Sequence, residues 1–188
     1  MEGATAHAAR PMRRVMIIGS GGAGKSTLAA RMGARTGLPV VHLDAEHWKP
    51  GWVETPEAEW ARVVDALVAR DSWVIDGNYG GTLDQRFAAA DTVIFLDMPR
   101  AACLWGVIKR RVRFRGRTRP DVGRGCPERL TWEFIRWIWT YRATRRPGIL
   151  KRLESLAREK RVVRLTTRAE VEAFVTELAP ATRAGHSS

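Results

Sequence analysis

Gly19-Ser20-Gly21-Gly22-Ala23-Gly24-Lys25-Ser26 is the stretch that decides the fold of this 188-residue chain. It satisfies G-x-x-x-x-G-K-[ST] at every fixed position. The apolar run Val15-Met16-Ile17-Ile18 precedes it and a helical pattern follows it. Glycines let the backbone wrap closely enough for successive N–H groups to converge on phosphate oxygens. A helix starting near Lys25 adds the positive end of its dipole. The expected phosphate contacts are Gly21, Gly22, Ala23, Gly24, Lys25, Ser26 and Thr27. Lys25 is expected at the β- and γ-phosphates, with the Ser26 hydroxyl on Mg²⁺. The ligand this motif calls for is ATP or a close relative.

Outward from the loop, short apolar runs alternate with helical patterns. The spacing predicts a helix over 25–36, stopped by Gly37 and Pro39, and a strand over 40–43. Thr55 is expected to cap a helix with Pro56 at its first position, whose apolar face is Trp60, Val63, Val64, Leu67 and Val68. Further strands are expected at 73–75, 92–96 and 162–165, with helices near 83–90, 100–114, 128–145 and 149–160. Thr167 and Glu170 form a capping box for a last helix that Pro180 ends. Five short apolar strands separated by helices predict an α/β fold with a parallel sheet. Ligands of such sheets sit at the carboxyl ends of the strands. The expected organisation is a single domain over 13–180 with tails at 1–12 and 181–188.

Three of the strands run into aspartate. Asp76, followed by Gly77-Asn78-Tyr79-Gly80-Gly81, is assigned to magnesium together with Ser26. Asp44 ends Val-Val-His-Leu-Asp, where a carboxylate can take a proton from an acceptor hydroxyl; a turn or capping role is the competing reading. Asp97, just before Pro99, reads equally well as the cap of the helix near Arg100. His42 and His47 lack the third ligand that a zinc set needs.

The net charge of +12 is one-sided. Residues 1–99 carry 10 Lys/Arg against 12 Asp/Glu, and residues 100–188 carry 22 against 8. Such a field implies an anionic partner: nucleotide phosphates, a phosphorylated substrate or nucleic acid. Lys109, Arg110, Arg111, Arg113, Arg115, Arg117 and Arg119 lie within eleven residues that hold no acid. Phosphoryl transfer needs cations beside the migrating group, and arginine's planar fork suits its oxygens. Helix ends also attract cations, so one to three of the seven are expected to act, with Arg111 and Arg117 the choice. The segment 115–127 holds three Gly and two Pro and is expected to be a loop or lid, the basic lid spanning about 110–128. The aromatic segment from Trp132 to Arg146 is apolar nearly all round and predicts a helix largely buried or lining a cleft; core packing is the default, and base stacking on a nucleic-acid surface is the competing reading.

No stretch reaches the ~18–20 uninterrupted apolar residues of a membrane span, and 1–11 lacks the apolar core of a secretory leader. Cys103 and Cys126 are too few for a disulfide framework. A cytoplasmic protein without membrane contact is the expectation.

With these residues in view, the chain resembles the bacterial P-loop proteins known as DNA topology modulation proteins, whose fold is similar to adenylate and shikimate kinases. The resemblance rests on Gly19-Ser-Gly-Gly-Ala-Gly-Lys-Ser, His42-Leu-Asp-Ala, Trp48-Lys-Pro-Gly-Trp-Val and Trp73-Val-Ile-Asp-Gly-Asn-Tyr. Val93-Ile-Phe-Leu-Asp, Arg115-Gly-Arg-Thr-Arg-Pro-Asp and Cys126-Pro-Glu-Arg complete it. It implies a three-layer P-loop kinase-like core with sheet order 2-3-1-4-5, Asp76 on the strand beside the phosphate loop, and an acceptor held near Asp44. Asp76-Gly77 is followed by Asn78-Tyr79 where adenylate kinases carry Phe-Pro-Arg, which speaks against AMP as acceptor. The expected function is ATP- and Mg²⁺-dependent transfer to a small hydroxyl- or phosphate-bearing acceptor. In that scheme Lys25, Asp44, Asp76, Arg111 and Arg117 carry the chemistry. The competing reading is a nucleotide-regulated DNA-binding protein, supported by the basic half of the chain.

Overall fold

Val15, Met16, Ile17 and Ile18 are all sealed from solvent, which is possible only for a strand covered on both faces. The computed structural model describes residues 12–178; the expected tails, Met12 apart, and the stop at Pro180 lie outside them. The strand is β1 (Arg14–Gly19), followed by α1 (Lys25–Thr36), β2 (Val40–His42) and α2 (Leu43–His47). Then come β3 (Trp48–Lys49), β4 (Val53–Glu54), α3 (Glu57–Val68), β5 (Trp73–Asp76) and α4 (Leu83–Ala89). β6 (Thr92–Leu96), α5 (Arg100–Arg113), α6 (Trp132–Thr144), α7 (Arg146–Leu156), β7 (Arg161–Leu165) and α8 (Arg168–Glu177) complete the chain. The main sheet runs β2-β5-β1-β6-β7, all parallel, which is the order 2-3-1-4-5.

Alternate strand residues enter two cores. Val15, Ile17, Val74, Ile94 and Leu96 pack with Leu28 and Met32 of α1, Val107 of α5, Ile138 of α6 and Phe174 of α8. Met16, Ile18, Trp73, Ile75 and Phe95 pack with Trp60 and Val64 of α3, Phe87 of α4 and Leu153 of α7. Gly37, at φ 75°, closes α1 as read from the sequence. No helix of the described residues is long and apolar enough to cross a membrane.

Four local expectations change. Leu43 and Asp44 leave the strand and start α2, so Asp44 sits one residue inside a short helix at the carboxyl edge of β2. Pro56 caps α3, while the Thr55 hydroxyl donates to the His47 carbonyl (2.7 Å). That bond spans the antiparallel hairpin β3–β4, which is too short to show periodicity. Helix α6 buries Ile138 and Tyr141 but leaves Trp132 73% and Trp139 54% exposed, so its apolar character does not mean burial all round.

The fourth change is Asp97. It does not cap α5, whose N-cap is Pro99. Instead its buried carboxylate accepts from Arg146 Nε (2.8 and 3.0 Å) and Arg164 Nε (2.9 Å), with Arg142 at 3.9 Å. One anion thus ties α6, α7 and β7 to the end of β6. Burial pushes the Asp97 carboxyl up, but the hydrogen bonds of Arg146 and Arg164 outweigh it and hold it below the usual carboxylate range. A depressed folded value contributes stability that is complete above the unfolded pKa of about 3.9 and is lost as pH falls through the folded value. Asp97→Ala is expected to cost roughly 1–3 kcal/mol at pH 7, less than a fully buried pair because the arginines are partly exposed. Urea unfolding should show that difference at pH 7 and a shrinking one below about pH 4.

Candidate active site

The residues 20–24 turn from β1 into α1. Gly22 (φ 74°) and Gly24 (φ 100°) occupy left-handed conformations, and a Cβ on Gly22 would lie 2.1 Å from the Cys103 carbonyl oxygen. Only glycine fits there. Gly24 caps α1 without a side-chain acceptor, so the first N–H groups of the helix stay available to an anion. Gly21 and Ala23 are buried beneath the turn, and Thr27 is exposed at the first turn of α1. Lys25 Nζ donates to the carbonyls of Gly19 and Ser20 (3.0 Å each), which hold it over the loop. Burial lowers its pKa, against the pull of Asp76 and Asp44.

The pairing Ile17↔Asp76 between β1 and β5 delivers the Asp76 carboxylate to the end of the loop. Ser26 Oγ donates to Asp76 Oδ2 (2.8 Å) and His42 Nδ1 meets Oδ1 (2.5 Å). Burial alone would lower the His42 pKa, but the hydrogen bond and charge of Asp76 prevail and raise it. A hydroxyl and a carboxylate side by side are hard oxygen donors of the kind magnesium takes, with phosphate oxygens and water completing its shell. Among the described residues no cluster of three or more His, Cys, Asp or Glu could hold a metal by itself. The pair therefore fits a nucleotide-borne magnesium rather than a protein-caged metal.

The residues after Asp76 link the two sides of the cleft. Asn78 Oδ1 accepts from Gly19 N–H (3.2 Å) and its Nδ2 donates to Gly19 O (2.8 Å), clamping the first residue of the phosphate loop. The Tyr79 hydroxyl donates to Asp44 Oδ1 (2.7 Å), and burial together with the Asp44 charge raises its pKa. Tyr79 takes φ 22°, which is uncommon for a side chain of this size. Arg86 holds the turn in this shape. It is 0% exposed, and its guanidinium donates to the carbonyls of Gly77, Asn78, Tyr79 and Thr82 at 2.6–3.3 Å. With no carboxylate among these partners, burial lowers its pKa to about 10.

The lid meets this centre through Arg119. Its guanidinium lies 3.0 Å from Asp121, 2.8 Å from Glu128 and 3.7 Å from Asp44. Arg110 pairs with Glu128 (2.9 Å), and Arg111 donates to the Glu128 carbonyl (3.0 Å). Burial, then repulsion from Arg119, lowers the Arg110 pKa. The lid rests on the β3–β4 hairpin through Gly51 N–H to Gly125 O (3.0 Å), Trp52 Nε1 to Pro127 O (3.0 Å) and Cys126 Sγ to Lys49 O (3.2 Å). Behind Asp44, His47 packs against Trp48, Trp60 and Tyr79 at ring separations of 4.5–5.1 Å.

Lys25, Ser26, Asp76 and Asp44 thus gather at the carboxyl edge of the sheet. Arg111 is turned to a backbone carbonyl, and Arg117 is exposed on the lid. Of the arginines that the sequence groups with them, Arg110 reaches the buried carboxylate of Glu128 and Arg119 reaches both Glu128 and Asp44. His42, Asn78, Tyr79 and Arg86 also belong to the site. Asn78 and Tyr79 stand in the quoted segment after Asp76, but an arginine in an ordinary helical pattern such as Arg86 carries no local signal.

The fold is similar to that of solved kinases. Against the shikimate kinase from Acinetobacter baumannii in complex with shikimate, the TM-score is 0.52 at 16% identity, covering 93% of both chains. A gluconokinase from Sinorhizobium meliloti 1021 gives 0.47 at 16% identity, over 89% of this chain and 93% of that one. A sugar kinase from Janibacter sp. HTCC2649 gives 0.44 at 18% identity, over 88% and 94%. No protein-family model and no curated protein matches the chain. The first likeness identifies the fold as the P-loop kinase type.

Arg86→Met is expected to strip the donors from two buried and two part-buried carbonyls and to lower stability by about 3 kcal/mol. Urea unfolding of the two proteins checks this. A loss below about 0.5 kcal/mol, the ordinary scatter of surface substitutions, would show that the turn holds its shape without the guanidinium.

Proposed function

We propose that this protein is an ATP- and magnesium-dependent phosphotransferase acting on a small acceptor. The observation that carries the reading is the juxtaposition, along Asp76–Tyr79, of a magnesium-type pair (Ser26 and Asp76) with a second carboxylate (Asp44) held from the next turn. A second carboxylate there is placed to take a proton from, or to orient, an acceptor hydroxyl. The motif resemblance to DNA topology modulation proteins is compatible with this activity, since their fold is similar to adenylate and shikimate kinases. The cytoplasm, where ATP is available, is the proposed location, and Cys103 and Cys126 are both free thiols.

In the proposed reaction the acceptor hydroxyl oxygen bonds to the γ-phosphorus. The bond from that phosphorus to the β,γ-bridging oxygen breaks, and ADP leaves with the electron pair. Asp44 takes the hydroxyl proton or orients the hydroxyl, and Tyr79 fixes the carboxylate through Oδ1. The loop N–H groups and Lys25 face the charge that spreads over the transferred group, Lys25 exchanging its carbonyl partners for phosphate oxygens. Arg110, near enough to Lys25 to depress its pKa, adds a cation on the lid side. Ser26 and Asp76 would hold the magnesium, whose charge neutralises the phosphates when it is bound.

Two aspartate variants test the division of labour. Asp76→Asn is expected to weaken magnesium-ATP binding by calorimetry and to depress both background hydrolysis and transfer. Asp44→Asn is expected to spare binding and hydrolysis while cutting transfer by around 10²–10⁴-fold. If Asp44→Asn loses magnesium-ATP binding and Asp76→Asn keeps it, the roles are reversed. If neither alters turnover, the two carboxylates are structural and the mechanism fails.

A further inference from the structure

We infer that the acceptor is an uncharged, hydroxyl-rich molecule and that the cleft discriminates against carboxylated or phosphorylated acceptors; this rests on the phosphotransferase reading. The argument is one of charge and prior commitment. The carboxylates of Asp44, Asp76, Asp121 and Glu128 stand against the cations Lys25, Arg110 and Arg119. Asp44 and Asp121 both act electrostatically on His42, and Asp44 also acts on Lys25, so these groups share one field. With the buried Arg86 of the same turn counted, the set is neutral, and a protonated His42 leaves it one positive charge in excess. Of its cations, Lys25 is assigned to the nucleotide, and bound magnesium-ATP adds further negative charge.

Among the described residues, the cations set around Asp44, Tyr79 and Glu128 are already engaged. Arg119 is held by Asp121 and Glu128 and leans on Asp44. Arg110 is held by Glu128, and Arg86 by backbone carbonyls. A guanidinium fork free to donate in pairs is the side chain best matched to a carboxylate or phosphate. An anion drawing Arg119 away would leave Glu128, almost wholly buried, with one cation fewer. Behind Asp44 the wall is the aromatic group of His47, Trp48, Trp60 and Tyr79, and burial keeps the His47 pKa low, so this wall supplies no standing cation. What the acceptor side does present is hydrogen-bonding capacity: the part-exposed carboxylate of Asp44 and the phenol of Tyr79. That suits hydroxyl groups.

The test uses the full chain with magnesium-ATP and matched acceptors: glucose, gluconate and glucose 6-phosphate; glycerol and glycerate; adenosine and AMP. ADP release and product mass are read together. The expected result is turnover on at least one neutral member, with kcat/KM about 100-fold above its anionic counterparts. That factor is the worth of one uncompensated unit charge some 6 Å away at an effective dielectric near 20. Asp121→Asn, which removes one negative charge, should narrow the ratio. Preference for an anionic member overturns the inference and leaves the phosphotransferase reading standing, and loss of that turnover in Arg117→Ala would identify the exposed lid arginine as the anion's receptor. No turnover on any member, with magnesium-ATP still bound, defeats the phosphotransferase reading and the inference with it.

Discussion

The parallel pairing of β1 with β5 is the constraint on which the site depends. Its register sets Asp76 opposite Ile17, two residues before the loop begins, and Gly77 N–H donates to the Ile17 carbonyl (3.2 Å). A one-residue slip would turn Asp76 to the opposite face of the sheet and force Trp73 and Ile75 into the core that Val74 occupies. Because both strands are buried on both faces, that slip is strongly penalised. The hydrophobic packing of Met16, Ile18, Trp73 and Ile75 therefore also fixes where a carboxylate meets Ser26.

The same register positions a turn that no single residue would adopt by preference. Tyr79 at φ 22° is held because Arg86 satisfies its carbonyl and those around it from inside the fold. A buried guanidinium without a carboxylate is costly to desolvate, and its depressed pKa reports that cost. The return is geometric. One segment clamps Gly19, completes the Ser26 pair and orients Asp44, so the two sides of the cleft cannot shift independently.

Positive charge in the second half of the chain has a meaning that composition does not convey. Arg142, Arg146 and Arg164 gather on Asp97, and Arg110, Arg111 and Arg119 gather on Glu128. Many of the cations behind the +12 are thus internal ties between helices and strands. Each cluster sets three arginines against a single carboxylate, so the ties fix where these cations sit while the surplus positive charge of the chain remains.

The sequence by itself determined the parallel α/β core, the phosphate loop with Lys25 and Ser26, and most element boundaries from β1 to α8. These are local properties: periodicity, glycine placement and turn chemistry act within a few residues. Asp76 was legible because an aspartate at the end of an apolar strand has few places to point. Only the tertiary structure decided which of the cations between Lys109 and Arg119 meet a carboxylate, for the packing of the lid on the β3–β4 hairpin brings Arg119 to Asp44 while Arg117 is exposed. Tertiary contact likewise made Asp97 an anchor rather than a cap, drew Asp44 into a helix, and gave Asn78, Tyr79 and Arg86 their work. Their partners lie between 4 and 59 residues away along the chain, and the longer separations are set by sheet order and helix packing that no local pattern encodes.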